Sequence, residues 1–275
     1  VNIFTVDVEE WFHVCGVGGR LAQSHWHALP SRVVSTTRRL LDQLDAAAVP
    51  ATFFVVGWVA ERYPALVTEI LAAGHEVGSH SHWHRRVYEL SPQMFAEDLA
   101  TSVTALTRAG APPPTAFRAP EWSINDKAPW ALDILTRQGF SIDASMAPLQ
   151  MVGRLDYPRQ PHRRPTSSGD ILEVPPFVAD RFGQVMPMGW GWGLRMTAPE
   201  RVLSLIAQAN KLGQPAVLTV HPWEVDPDPP RVWLPPRLMF AHYFRLGGFE
   251  QRLKEIMRGT TFSTLRATAT CGTGC

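Results

Sequence analysis

The chain is 275 residues long, 45% hydrophobic and 19% charged, with 26 Lys plus Arg against 25 Asp plus Glu and a formal net charge of +1. That length and apolar content exclude dominant disorder and suffice for one large core, and the near-neutral balance gives no long-range reason to expect nucleic acid or an acidic membrane as partner. The longest apolar stretches, such as Ala51 to Ala60, fall far short of the roughly 20 residues of a membrane-spanning helix, so a soluble chain without a transmembrane segment is expected.

Val1 to Val6 is β-prone and opens the chain without a visible signal peptide, which predicts a cytoplasmic protein, although the missing Met leaves room for a removed leading segment. Leu40, Leu41 and Leu44 give a helical period from Ser35 to Ala48, and Pro50 ends it. Thr52 to Val56 reads as a buried strand, followed by a helix from about Trp58 to Ala73 that Gly74 closes. The alternation continues with a strand at Glu76 to Ser79 and a helix that Ser91 and Pro92 open and that runs to about Ala109. A strand at Ala116 to Arg118, a helix from about Lys127 to Gln138 and a strand at Phe140 to Asp143 follow. Pro158 to Met188 interrupts the rhythm with prolines, glycines and short strand-like pieces such as Ile171 to Val174, and is expected to form loops and an inserted hairpin walling the site. A helix from Pro199 to Leu212 leads to a strand at Ala216 to Val220, then a proline-rich surface loop from Asp226 to Pro236, a helix from about Phe249 to Met257 and a last strand near Phe262 to Leu265.

No segment of linker composition breaks this series. The pattern predicts one α/β domain over residues 1–267, a distorted (β/α) barrel of about seven parallel strands, ending in a flexible tail over 268–275. Cys15, Cys271 and Cys275 are odd in number and lack framework spacing, so no dependence on disulfides is expected.

In such a barrel the chemistry sits at the carboxyl ends of the strands. Asp7 and Glu9 share a face at the end of the first strand and, with Glu10, read alone as a solvated acidic loop. His80, His82 and His84 follow the third strand. A histidine cluster with nearby carboxylates suits a borderline-soft divalent metal, and either one helical turn or an extended segment would align His80 with His84. Arg118 and His221 end two further strands, where each alone would pass for a surface ion pair or a structural histidine. Their convergence with Asp7, Glu9, His80, His84 and Asp143 at one mouth carries the functional argument.

These stretches resemble the polysaccharide deacetylase family, also known as carbohydrate esterase family four or the NodB-type domain. The resemblance lies in Thr5-Val6-Asp7-Val8-Glu9, in Gly74 through His84, in Phe117-Arg118-Ala119-Pro120 and in Leu218-Thr219-Val220-His221. More narrowly, Asp7 through Phe12, Asp156-Tyr157-Pro158-Arg159 and His221-Pro222-Trp223-Glu224 resemble the deacetylases of exosortase and exopolysaccharide systems, which carry a C-terminal extension like residues 222–265. The family's usual adjacent pair of aspartates is replaced here by Asp7, Val8 and Glu9.

The resemblance implies a metal-dependent hydrolase removing N-acetyl groups from a glycan. Glu9, His80 and His84 would hold one divalent ion, zinc first and cobalt or nickel on the same donors. Asp7 would be the general base, Arg118 would orient it, His221 would protonate the leaving amine and Asp143 would tune that histidine. The backbone N–H of Glu121 would face the oxyanion. Trp11, Trp122, Trp190, Trp192 and Trp223 would line the mouth against sugar rings, which would account for ten tryptophans in so weakly charged a chain. Two alternatives stand beside this: an amide hydrolase of the same superfamily acting on a small cyclic amide or ureide, and a glycan-binding module without turnover.

Overall fold

The computed structural model describes residues 1–14, 21–181 and 183–271, with side chains as far as Ala269. Cys15, Cys275 and the side chain of Cys271 lie outside the described residues.

The central strand β1 (Asn2–Val8) is buried along its whole length, as its near-continuous apolar run requires of a strand covered on both faces. It pairs in parallel with β2 (Thr52–Val55) on one side and β10 (Val217–Val220) on the other. The sheet continues in parallel from β2 through β3 (Glu76–Ser79), β4 (Ala116–Phe117), β5 (Ile142–Asp143) and β7 (Gly169–Glu173). Antiparallel β6 (His162–Thr166) closes that edge, and β11 (Phe262–Ser263) pairs with the start of β1. The seven parallel strands from β10 to β7, with β11 as a short eighth beside β1, thus curl into the expected distorted barrel, left open between β10 and β6.

The expected insertion is two hairpins. One is β6 with β7, and β7 is itself a barrel strand; the other is β8 (Ala179–Arg181) with β9 (Gln184–Met186).

Helices α1 (Val33–Ala46), α4 (Pro92–Arg108), α5 (Ala131–Arg137), α7 (Pro199–Lys211) and α9 (Phe249–Gly259) follow the sequence pattern within a few residues. Ser91 caps α4, its Oγ accepting the Met94 N–H at 3.2 Å. The single helix expected over 58–73 is instead α2 (Gly57–Arg62) and α3 (Pro64–Ala72). Pro64 lacks the N–H that would continue α2, and it pushes Tyr63 to φ −131°, ψ 60°. Two helices fall in segments to which the sequence pattern assigns no helix, α6 (Gly191–Met196) and α8 (Pro236–Tyr243). The tail is helical to Cys271 as α10 (Leu265–Cys271). Glu76 holds it by accepting from Thr264 Oγ1 at 2.8 Å and the Arg266 N–H at 3.2 Å.

The barrel interior explains where the site sits. Ile3, Phe54, Ala116, Ile142, Val174 and Val217 pack together around Leu265, which plugs the amino-terminal end. Side chains alternate along a strand, so two residues further on each strand points inward again. On β1 that step goes from Ile3 to Thr5 and Asp7, on β10 from Val217 to Thr219 and His221, and after β4 from Ala116 to Arg118. The same face therefore turns from apolar to polar on approaching the carboxyl ends.

Candidate active site

Arg118 is the hub of this polar layer and is fully buried. Its Nη1 donates to Asp7 Oδ1 at 2.9 Å, to Thr5 Oγ1 at 2.7 Å and to Thr219 Oγ1 at 3.2 Å, and its Nε donates to the Ala144 carbonyl at 3.1 Å. Strands β1, β5 and β10 are thereby tied to one guanidinium, and Asp7 is left with Oδ2 facing the mouth, 3.9 Å from His80 Nε2 and 4.0 Å from His221 Nε2.

The segment after β3 is a tight turn, neither of the two arrangements open from the sequence. Ser81 and His84 take positive φ, 60° and 50°. Ser81 Oγ accepts the His84 N–H at 2.9 Å, and Asp98 of α4 accepts the amides of His82 and Trp83 at 2.8 and 3.1 Å. This clamp turns His80 and His84 toward Glu9 and sends His82 away, its Nε2 3.7 Å from Glu61. A Cβ at Gly57 would strike the His82 ring, so that glycine lets the turn close.

Glu9 Oε2 lies 2.5 Å from His84 Nε2 and 3.9 Å from His80 Nε2. One donor atom from each of these three buried residues falls within 4.8 Å of the others. The His80 Nδ1–H donates to the Arg118 carbonyl at 2.8 Å, a tautomer assigned from that contact, which leaves the Nε2 lone pair pointing at Glu9. Burial, opposed by Asp7 and Glu9, pushes the His80 pKa down to about 4, so the ring is the neutral ligand form at pH 7. For Glu9, burial favours the acid, but His84, His221 and His80 together outweigh it and hold the carboxylate well below the usual range. A buried two-His, one-Glu donor set with a fixed imidazole tautomer fits a divalent ion that keeps positions open for water or substrate.

His221 faces the same space, its Nε2 3.9 Å from Glu9 Oε1 and 4.0 Å from Asp7 Oδ2. Behind it Nδ1 donates to Glu224 Oε2 at 3.0 Å. Burial alone would lower its pKa, yet Glu224, Glu9 and Asp7 raise it to about 9, so the imidazolium is the neutral-pH form. Glu224 is held in turn by Arg195 Nε at 3.1 Å, and Arg195 also donates to the carbonyls of Ala241 at 2.7 Å and Phe244 at 2.6 Å at the end of α8. A Cβ at Gly191 would collide with both Glu224 oxygens.

Asp143, expected beside His221, stands elsewhere. It accepts from Ser145 Oγ at 2.5 Å and sits opposite Glu173 in the β5–β7 register. The acid that holds His221 is Glu224, three residues on, a spacing visible in the sequence as a short capping turn. Asp143 lies on β5, in the strand pair with β7, and Ser145 rather than His221 takes its Oδ1.

The tryptophans divide. Trp11 is core: its Nε1 donates to the Pro30 carbonyl at 2.9 Å, and it packs edge-on against Phe12, which also contacts Trp26 and Trp58. Trp223 is buried with Nε1 donating to Glu9 Oε1 at 3.0 Å, and its ring stacks between His221 and His242. Trp122 stacks on Trp190 at 4.1 Å, and the Arg118 guanidinium lies 5.8 Å from the Trp122 ring. Trp190 and Trp192 then line a trough of about 660 Å³ together with Leu149, Met151, Val185 and Met186. Glu121 pairs with Arg86 at 2.7 Å, and both Glu121 and Trp122 take positive φ, 53° and 50°, backbone strain of the kind that gathers at functional sites. Glu173, Arg195, His242, Asp98 and His13, which stacks on His84 at 5.6 Å, carry no motif of their own.

Residues 27–140 match the family model described as polysaccharide deacetylase, and residues 144–270 match one described as a domain of unknown function, DUF3473. The chain is 30% identical over 107 residues to a peptidoglycan-N-acetylglucosamine deacetylase of Bacillus cereus, a match covering 38% of this chain and 38% of that protein. It is 35% identical over 101 residues to a chitooligosaccharide deacetylase of Bradyrhizobium, covering 36% of this chain and 43% of that protein. The matches therefore span less than half the length of these curated relatives. A crystal structure from Mycobacterium smegmatis, provisionally described as a polysaccharide deacetylase, superposes with a TM-score of 0.64 at 21% identity, over 98% of this chain and 88% of that one. That likeness shows the distorted (β/α) barrel. The polysaccharide deacetylase domain is supported by the match over residues 27–140 and by these relatives.

Proposed function

We propose that the chain is a metal-dependent polysaccharide deacetylase that removes N-acetyl groups from amino sugars of an exopolysaccharide or a similar glycan. The observation that carries this is the gathering of Asp7, Glu9, His80, His84, Arg118 and His221 around one mouth, with contacts of 2.5 to 4.0 Å. A divalent ion held by Glu9, His80 and His84, with zinc, cobalt and nickel all suited to these donors, would supply Lewis-acid polarisation and an acidified water.

The chain's own groups then divide the proton work. Asp7 Oδ2, with Oδ1 occupied by Arg118, accepts a proton from the water that bonds to the acetamide carbon. The strained Pro120–Trp122 turn presents the Glu121 N–H to the developing oxyanion. His221 Nε2 gives its proton to the nitrogen as the C–N bond breaks, so acetate and a free amine leave. Glu224 keeps that imidazole oriented and cationic, the part that the family resemblance gives to Asp143.

Trp122 and Trp190 connect Arg118 to the trough, and Trp192 adds an aromatic face for neighbouring sugar rings. Among the described residues no charged side chain lines the trough, which favours a neutral stretch of glycan. Acetate release from N-acetylated glycans by the metal-loaded protein tests the proposal; a glycan that binds without losing acetate would instead support a binding module.

A further inference from the structure

Residues 229–249 contain three arginines, Arg231, Arg237 and Arg245, and no Asp or Glu. This stretch carries α8, which has no buried residue, and the turns on either side of it. Trp233 is 84% exposed, Phe240 46% and Phe244 40%, and all three arginines are exposed. Phe240, on the helix, and Phe244, the first residue past its end, stack at 4.5 Å. The guanidinium of Arg245 lies 5.7 Å from the Phe244 ring, and that of Arg231 lies 5.7 Å from Tyr243. Across the trough, which Ala241 of α8 also lines, Met151 is 73% exposed and Leu155 51%.

Exposed apolar patches of this kind mark a contact surface. The chemistry of the rim selects the partner: Asp226 and Glu250 share a groove with Arg231 and Arg245 but are paired with Arg32 and with Arg39 and Lys254, so bulky aromatic and aliphatic side chains stand beside an excess of cations and match a bilayer interface, where rings sit at headgroup depth and arginines meet lipid phosphates. The whole-chain charge of +1 conceals this local excess. We propose that α8 and its flanking turns dock the protein peripherally on an anionic phospholipid surface, with the mouth of the trough beside the membrane.

The test is sedimentation of the full chain with phosphatidylcholine vesicles, with and without phosphatidylglycerol. Binding to the phosphatidylglycerol vesicles is expected, weakening with added salt. Trp233→Ala is expected to weaken it about tenfold or more, by loss of one fully inserted ring. Arg237→Glu is expected to cost more than the roughly fivefold worth of one cation near such a surface. Trp233 is exposed enough that its replacement leaves the fold intact, and acetate release from a soluble N-acetyl oligosaccharide should not change. Absence of wild-type binding to both vesicles, or equal binding by both variants, would overturn the proposal. So would a self-association lost in Trp233→Ala without vesicle binding, or a fall in oligosaccharide turnover alone, which would assign the patch to a second copy or to glycan. The vesicle-binding and self-association readings do not depend on whether the deacetylase proposal holds; only the turnover control does.

Discussion

His80 and His221 are the same residue type set to opposite states on either side of Asp7 Oδ2, which lies 3.9 Å from one and 4.0 Å from the other. Burial dominates at His80 and takes its pKa to about 4, whereas at His221 the carboxylates of Glu224, Glu9 and Asp7 overcome burial and take it to about 9. Among the described residues, His221 faces Asp7 and Glu9 at the end of β1, Glu224 on its own turn with Arg195 behind it, and His242 across the Trp223 ring. Glu224→Gln keeps an acceptor for Nδ1 but removes the nearest negative charge, so His221 should lose its proton at lower pH. The alkaline limb of amide hydrolysis is then expected to move down, with a rate loss of about 10² at pH 8. Hydrolysis of 4-nitrophenyl acetate, whose leaving group needs no proton, should change far less. Equal losses in kcat/KM for both substrates would show that Glu224 is merely structural. This role was half visible in the sequence, since Glu224 stands three residues after His221. Arg195 was not, because an arginine in an unassigned loop gives no hint that α8 will bring its carbonyls to it.

At the scale of elements, the strand ends were legible because β-branched and aromatic runs alternate cleanly with capped helices. The departures have local causes. Pro64 splits one periodic helix into α2 and α3, and the prolines around α8 resemble a loop until Pro235 and Pro236 are seen to start a helix. The turn between β3 and α4 sets the geometry of the proposed metal ligands His80 and His84, and it is held from outside by Asp98. Asp98→Ala would leave the buried amides of His82 and Trp83 without acceptors, each worth about 1–3 kcal/mol. It should also loosen the spacing of His80 and His84, lowering metal affinity about 10–100-fold as loss of a ligand's supporting contact does. Denaturant melts and metal titration of the variant measure the two effects, and an unchanged affinity would show that the turn holds its shape without the clamp.

Across the whole molecule the two matched regions, 27–140 and 144–270, form one sheet and one site. Asp7 and Glu9 lie before the first region, and His221, Glu224 and Arg195 lie in the second, so neither region alone holds the full set. Of the ten tryptophans, Trp11, Trp26 and Trp58 build core beneath the site while Trp122, Trp190, Trp192 and Trp223 adjoin it, a division that spacing along the chain does not reveal. The seam between the regions carries a second hidden feature. Asp143 Oδ2 and Glu173 Oε2 are buried on register-paired residues and, among the described residues, have no other partner, so a single proton held by the pair is the expected form. Burial raises both pKa values, and Asp143 drives Glu173 well above the usual carboxylate range. The folded chain therefore binds more protons here than the unfolded chain, and stability must fall as pH rises from the unfolded carboxyl values toward the raised folded ones. Glu173→Gln can donate to Asp143 permanently. It is expected to raise Tm by about 2–4 °C for each kcal/mol recovered at pH 8, and by less at pH 4, in parallel thermal melts. A gain independent of pH would contradict the shared proton.

The central claim rests on Asp7, Glu9, His80, His84 and His221 acting as one hydrolytic site on an N-acetylated sugar. Acetate release from a panel of N-acetylated glycans, by wild type and Asp7→Asn with bound metal measured in both, tests it most directly. The predicted result is acetate from wild type, with Asp7→Asn binding metal equally but turning over about 10²–10⁴ times more slowly. Metal-loaded wild type that frees no acetate, or an Asp7→Asn variant that keeps its rate, would contradict it.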